Sequence, residues 1–257
     1  MASSASTRSA CIRPSNHDSA SEVGIYSVSI LVATIISLPL AGFNQFFPSV
    51  SSRLYSNDEY EMLQTVYRVV TRWAISLSLL VALPAVIYRR ELLSVFGPEF
   101  VEGQAVLLLF VGGQFVNALS GPSNDLLTMT DNQYVVLCNN WGFGLLNVGL
   151  NYVFIQEYGL LGAAMATASI LAALNVARVL EVWYFEGYVP YSRRVWKPAF
   201  AAACATVALV GARQFLSGYT LLVAGSALGV LVFLAVLWLF GLESEDRKLL
   251  SLYRGDA

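Results

Sequence analysis

Gln133, Asn140, Gly144, Asn147 and Asn151 fall within an arc of roughly 60° on one side of a helix, at about 100° per residue. Carboxamides donate and accept hydrogen bonds without carrying charge. In an apolar segment such a stripe either lines a wet cavity or bonds to a neighbouring helix, where each contact is worth about 0.6–2 kcal/mol in membranes. The next apolar segment carries Asn175 and Arg178, nearly opposite the small-residue stripe Gly162, Ala166, Ser169, Ala173 and Ala177, which suits a close helix contact. The Arg178 guanidinium either forks onto the oxygens of an anionic ligand or snorkels to the membrane surface and pairs with Glu181 at i+3. The adjacent Arg89 and Arg90 offer the same alternatives. Asn140, Asn175, Arg178, Arg89 and Arg90 are therefore the candidate substrate-binding residues.

The two segments are joined by Gln156-Glu157-Tyr158-Gly159, which predicts a tight turn and a membrane hairpin. Composition supports that solvent. The chain of 257 residues is 56% hydrophobic and 12% charged, too apolar for a domain covered by water. Apolar runs of roughly 20 residues recur, long enough for a helix to cross about 30 Å of hydrocarbon. The formal net charge of −2 gives no basic face for nucleic acid. Cys11, Cys138 and Cys204 are an odd set with two members in apolar runs, so neither a disulfide nor a metal site is expected.

Residues 1–21 are Ser- and Ala-rich and predict a disordered tail with no signal-peptide core. The spans expected next are Val23–Val50, interrupted by Pro39 and Pro48; Ala74–Tyr88, with Pro84; Gln104–Met129, broken at Ser120-Gly121-Pro122; and the hairpin, Gln133–Ile155 and Leu160–Tyr184. Ser27, Thr34, Ala41 and Gln45 share one side of the first. Ser51–Trp73 reads as the longest polar connection, its second half an interfacial helix. Asp125, close to the end of its span, can reach the interface. The region 22–186 is thus a five-helix membrane unit. Region 187–241 adds a charged loop and two plain apolar helices, about Pro198–Leu216 and Leu221–Phe240, with Arg213 as an interfacial anchor; 242–257 is a soluble tail.

Lys and Arg counted on alternate sides give ten against five in favour of an N-terminus outside and a C-terminus in the cytoplasm. Arg89 and Arg90 fall on the outer side against that rule.

The segments EVGIYSVS, PLAGFNQFFPSVSSRLY, FGPEF, LLTMTDN and NVGLNYVFIQEYGLLGAAMATAS occur in an order and spacing that resembles the polysaccharide-exporter branch of the multidrug/oligosaccharidyl-lipid/polysaccharide flippase superfamily. The similarity runs from about Glu22 to Lys197 and is to archaeal, haloarchaeal members. It implies an all-α polytopic membrane protein of about seven transmembrane helices, most of the C-terminal lobe of a two-lobe flippase plus two appended helices. The substrate implied is a lipid-linked oligosaccharide or polysaccharide repeat unit, held by its headgroup while the lipid tail stays in the bilayer and the lobes rock. An N-terminal lobe, in cis or in a partner subunit, is then required. The expectation is a fragment, a misassigned start, a half-transporter or a remnant, and the Ser-rich head favours a truncated or misread start.

The resemblance also implies a sodium site at Asn147, Asn151 and Thr167, whose oxygens suit a hard cation, although no carboxylate occupies those positions. Other readings are a drug or cation antiporter of the same superfamily, a membrane glycosyltransferase or polymerase, and a non-transporting partner. No phosphate loop, metalloprotease motif or nucleophile elbow occurs, so neither catalysis nor a cofactor is expected.

Overall fold

The computed structural model describes residues 16–240. Among them there is no strand. The elements are α1 (Asn16–Ser56), α2 (Tyr60–Ile87), α3 (Arg89–Ser94), α4 (Gln104–Ser120), α5 (Ser123–Met129), α6 (Gln133–Glu186), α7 (Trp196–Ala212), α8 (Gly218–Thr220) and α9 (Ser226–Leu239). A 3-10 turn at Pro98–Gly103 precedes α4, and a π-helical turn at Leu221–Gly225 leads into α9. Most of the expected tails, 1–15 and 241–257, lie outside the described residues. Their inner boundary shifts, because α1 begins at Asn16 rather than after residue 21.

Five described helices are long and apolar enough to cross a membrane. One of them, α6, has 54 residues and would run about 81 Å if straight, against a hydrocarbon core of about 30 Å. It does not run straight. Gly159 has φ 57° and ψ −135°, a conformation that costs an L-residue steric strain and glycine little. Three side-chain contacts show that the arms on either side fold back antiparallel. Asn132 donates to Glu186 at 2.9 Å, Asn139 to Glu181 at 2.6 Å, and Arg178 to Asn140 at 3.1 Å. Near the turn the arms approach so closely that a β-carbon on Gly162 would collide with the carbonyl of Phe154. With two arms in α6 and the 17-residue apolar α7, the helices agree with the expected seven.

The core is apolar and shared among the first six helices. Val32, Ala33 and Ile36 of α1 pack with Leu107, Phe110 and Val111 of α4, Ala82 of α2 and Ala164 of α6. At the other end, Phe47 and Leu54 of α1 meet Leu63, Val66, Tyr67 and Val70 of α2, with Leu126 and Leu127 of α5, Val182 and Tyr188. Ser78 of α2 donates to the carbonyl of Ile36 at 2.9 Å, an interhelical bond of the kind that compensates for the absence of water.

The second cluster overturns the reading of Ser51–Trp73 as a long polar loop with an interfacial helix. α1 continues to Ser56, only a short turn follows, and α2 begins at Tyr60. Leu63, Val66, Tyr67, Val69 and Val70 are buried. Their apolar positions recur at helical spacing, and the charged residues between them masked the run. The loop after α6 closes on the same end, where Arg68 Nε donates to the carbonyl of Val189 at 3.3 Å.

The small-residue stripe is also corrected. Gly162 and Ala166 are buried, but Ser169 and Ala173 are exposed. Gly162 makes a close approach to Phe154 on the facing arm, while Ala164 in the core and Ala168 against Gly113 of α4 make close contacts in place of Ser169 and Ala173. α7 and α9 pack on each other and on the C-terminal half of α2 through Leu79, Leu80, Leu83, Ala201, Ala205 and Phe233. Arg213 does more there than anchor the helix end. It pairs with Glu91 at 3.2 Å, donates to the carbonyl of Ile87 and lies 5.7 Å from the ring of Tyr88.

Candidate functional site

The break between α4 and α5 builds the site. Gly121 has φ 60°, and Pro122 cannot supply the backbone donor that a continuing helix needs. Irregular backbone at membrane depth survives where protein or a wet cavity satisfies it. Here Tyr67 donates to the carbonyl of Ser120 at 3.3 Å and lies 2.7 Å from the Ser123 hydroxyl. Gly121 packs so tightly on Thr71 that no side chain fits between them. Broken helices of this kind form the binding sites of many secondary transporters.

Beside the break lies a cavity of about 250 Å³. Leu40 and Asn44 of α1 form one wall, and Asn117 and Ser120 of α4 another; Gly121, Pro122 and Asn124 come from the break and α5. The two arms of α6 close it with Asn140, Asn175 and Arg178. Its lining is rich in carboxamides, which is unusual for helices whose remaining surface is apolar.

Three of the residues expected to bind substrate, Asn140, Asn175 and Arg178, are therefore brought together. Asn175 is 1% exposed. Its amide nitrogen donates to the carbonyl of Leu171 at 2.9 Å and its oxygen accepts from Ser120 at 3.1 Å, which fastens the second arm of α6 to the end of α4. Arg178 does not pair with Glu181, whose carboxylate instead accepts from Asn139. It turns across the hairpin to the Asn140 oxygen, and its Nε is buried without a partner. Snorkelling with an i+3 pair is thus not the arrangement adopted; the guanidinium reaches further by crossing to the facing arm.

Arg89 and Arg90 are not part of this site. They begin α3 at the opposite end of α2, where Arg89 donates to the carbonyl of Val86 and Arg90 is exposed. Asn147 and Asn151 also lie outside the cavity. Asn151 donates to both the backbone carbonyl and the amide oxygen of Asn147, at 2.9 and 3.1 Å, a contact within one helical turn rather than a bond to a neighbouring helix. By the register of the hairpin Thr167 stands level with Asn151 on the facing arm, and no bond joins the two among the described residues. Groups of His, Cys, Asp and Glu that could hold a metal are absent from the described residues.

Sequence reasoning overlooked Asn44, Asn117 and Asn124, which are isolated amides in three different segments. Asp125 is partly buried in α5, with Oδ2 lacking a hydrogen-bond partner. The available signal was the Ser120-Gly121-Pro122 break, because a helix broken inside an apolar run needs polar neighbours to satisfy its backbone.

The sequence is 29% identical over 190 residues to the probable low-salt glycan biosynthesis flippase Agl15 of Haloferax volcanii, an alignment covering 68% of this chain and 38% of that protein. In three dimensions the chain is similar to the lipid II flippase MurJ in an inward closed conformation, with a TM-score of 0.59 and 15% identity over 88% of this chain and 50% of that one. That likeness shows the fold. The chain thus spans about two-fifths to one-half of the length of these proteins. The MatE family model matches residues 13–153, more than half of the sequence, and the chain belongs to the MatE family.

Proposed function

We propose that this chain forms one lobe of a membrane flippase that moves a lipid-linked oligosaccharide or polysaccharide repeat unit across the cytoplasmic membrane. The carboxamide-lined cavity at the α4–α5 break, closed by Arg178, is the observation that carries the reading. It offers a polar headgroup a compartment within an apolar bundle while the lipid tail remains in the bilayer. The functions printed for the two flippases above support the same substrate class. The chain acts as a transporter and not as an enzyme.

Alternating access needs a counterpart for this lobe to rock against. An N-terminal lobe in the same polypeptide, or a partner subunit, supplies it. Two observations support that requirement: the chain spans half or less of the relatives it matches, and α1 leaves the Gln45 side chain exposed, an amide that lipid would solvate poorly. The excess of Lys and Arg at the end holding Arg53, Arg68 and Lys197 supports a cytoplasmic location for that end, with the start of α1 outside. Labelling of single cysteines at Asn57 and Ser94 by a membrane-impermeant reagent reads this orientation: Ser94 labels in intact cells and Asn57 only after lysis.

The test of function uses the natural membrane product, with its counterpart lobe, in proteoliposomes containing a fluorescent lipid-linked glycan. Accessibility of the fluorophore headgroup to an external quencher should rise faster than in protein-free vesicles. Exchange at the protein-free rate, or export of cationic drugs in place of the glycan lipid, would refute the reading.

A further inference from the structure

The polar atoms left without partners in this cavity specify what it takes. Asn44 Oδ1, Asn124 Oδ1 and Asp125 Oδ2 are buried acceptors with no donor, and Arg178 Nε is a buried donor with no acceptor. Asn44, Asn124 and Arg178 line the cavity, and Asp125 stands next to Asn124 on α5. Buried groups of this kind require partners. A ligand that satisfies them must donate several hydrogen bonds and accept at least one.

Phosphate does not meet that requirement. At neutral pH its outer oxygens are predominantly acceptors, and two of the three orphaned atoms in the cavity, Asn44 Oδ1 and Asn124 Oδ1, are acceptors themselves. A bare cation fails differently, since it offers nothing to Arg178 Nε and shares the cavity with a guanidinium. Hydroxyl groups donate and accept at once. Neighbouring hydroxyls on a ring also match the paired C=O and NH₂ of Asn117 and the other amides.

Resting on the flippase reading above, we propose that this cavity binds an uncharged sugar ring of the lipid-linked glycan through its hydroxyls, and that the phosphate of the lipid carrier lies outside it. The Asn44 and Asn124 oxygens accept from ring hydroxyls, and Arg178 Nε donates to a ring or hydroxyl oxygen. The volume of about 250 Å³, roughly that of eight waters at liquid density, is enough for one sugar ring. Asn140 holds the guanidinium at the edge of the site.

Saturation-transfer NMR on the full chain in lipid nanodiscs, free of sugar-based detergent, tests this directly. The probes are the methyl pyranosides of glucose, galactose and mannose, inorganic pyrophosphate, and sodium. Transfer to the ring protons of at least one pyranoside is expected, undiminished by pyrophosphate or sodium. It should fall about fivefold in Asn124→Leu, through loss of one acceptor. Asn44→Ala, on a different helix, should lower it similarly, so that a folding defect in one variant does not obscure the result. Broadening of the pyrophosphate ³¹P line or of the ²³Na line without sugar transfer would overturn the proposal, as would absence of sugar transfer altogether. Binding of a spin-labelled lipid-linked glycan to the same nanodiscs separates the two claims. If the glycan lipid binds while no pyranoside does, the sugar site fails and the flippase reading stands. If pyranosides bind at the cavity but the complete protein does not flip the glycan lipid, the site stands and the flippase reading fails.

Discussion

Arg178 donates from Nη2 to the amide oxygen of Asn140 at 3.1 Å, joining two residues 38 positions apart in the sequence. The bond crosses the α6 hairpin at the edge of the cavity. It couples the shape of the site to the pairing of the two arms, because the guanidinium stays in place only while both arms keep their register. A hydrogen bond to a charged group in such a setting contributes about 1.5–3 kcal/mol.

Arg178→Ala should therefore lower flipping in proteoliposomes about tenfold or more, since about 1.4 kcal/mol corresponds to a factor of ten. Arg178→Lys keeps the charge but loses the planar fork that serves Asn140 and the ligand together, and should recover only part of the rate. Full activity in Arg178→Lys would show that charge alone suffices.

The hairpin turn should be sensitive to added methyl groups in a graded way. Gly159→Ala places a β-carbon on a residue with φ 57° and ψ −135° but meets no neighbour, so a loss of about 1–3 kcal/mol from backbone strain alone is expected. Gly162→Ala drives its β-carbon into the Phe154 carbonyl and should be the more damaging change, because the facing arm must move as a whole. Thermal unfolding followed by helix signal in nanodiscs reads both; an equal effect of the two would mean that the arms are not in close contact.

The ranking of these glycines also shows how far the sequence alone reaches. Membrane helices were legible because the bilayer requires runs of a set length, and the turn at Gly159 was legible because a polar tetrapeptide interrupts such a run. The register of the two arms was not read from the sequence, so the bond of Arg178 to Asn140 in place of Glu181 emerged only from the fold. Asn44, Asn117 and Asn124 were not legible as a group, because they converge through the packing of α1, α4 and α5, which no local periodicity encodes. The first half of α2 was misread because a buried helix end that carries Arg68 and Arg72 resembles an interfacial loop in composition. Arg89 and Arg90 were placed with the binding residues on charge alone, and charge does not say which end of a bundle a residue occupies.

Tyr188, beyond the end of α6 and outside the spanning segments, gives a pH test. Burial first, and then the charges of Glu186, Tyr60 and Tyr55, push its phenol up to about 12, above an ordinary value of about 10. The folded state therefore holds a proton that the unfolded state releases earlier as the solution becomes alkaline. The associated stability is fully present below about pH 10 and is lost between about pH 10 and 12. Alkaline denaturation profiles should be shallower across that window for Tyr188→Phe than for the parent protein, with no difference at neutral pH. Superimposable profiles would place the Tyr188 hydroxyl in water.

The ion pair between Arg213 and Glu91 holds the turn after α7 against α3, but the arginine side chain is 42% exposed. Screening by solvent keeps such pairs weak. A double-mutant cycle of Arg213→Ala and Glu91→Ala should give a coupling of about 0.2–1 kcal/mol. Arg213→Ala alone should cost more than that coupling, because it also removes the bond to the Ile87 carbonyl and the contact with Tyr88. A single-mutant loss no larger than the coupling would leave those two contacts without energetic weight.

The central claim is that the headgroup of a lipid-linked glycan occupies the cavity between α1, α4, α5 and α6. Its most direct test is protection of one engineered thiol. Asn117→Cys in a background with Cys11, Cys138 and Cys204 replaced by serine places a reactive group on the cavity wall, and its rate of modification by a small impermeant reagent is measured with and without lipid-linked glycan. Slowing is expected on addition of the glycan lipid, with no slowing by the lipid carrier lacking sugar. Equal modification rates in all conditions, with the glycan lipid shown to be bound, would place the headgroup elsewhere and contradict the claim.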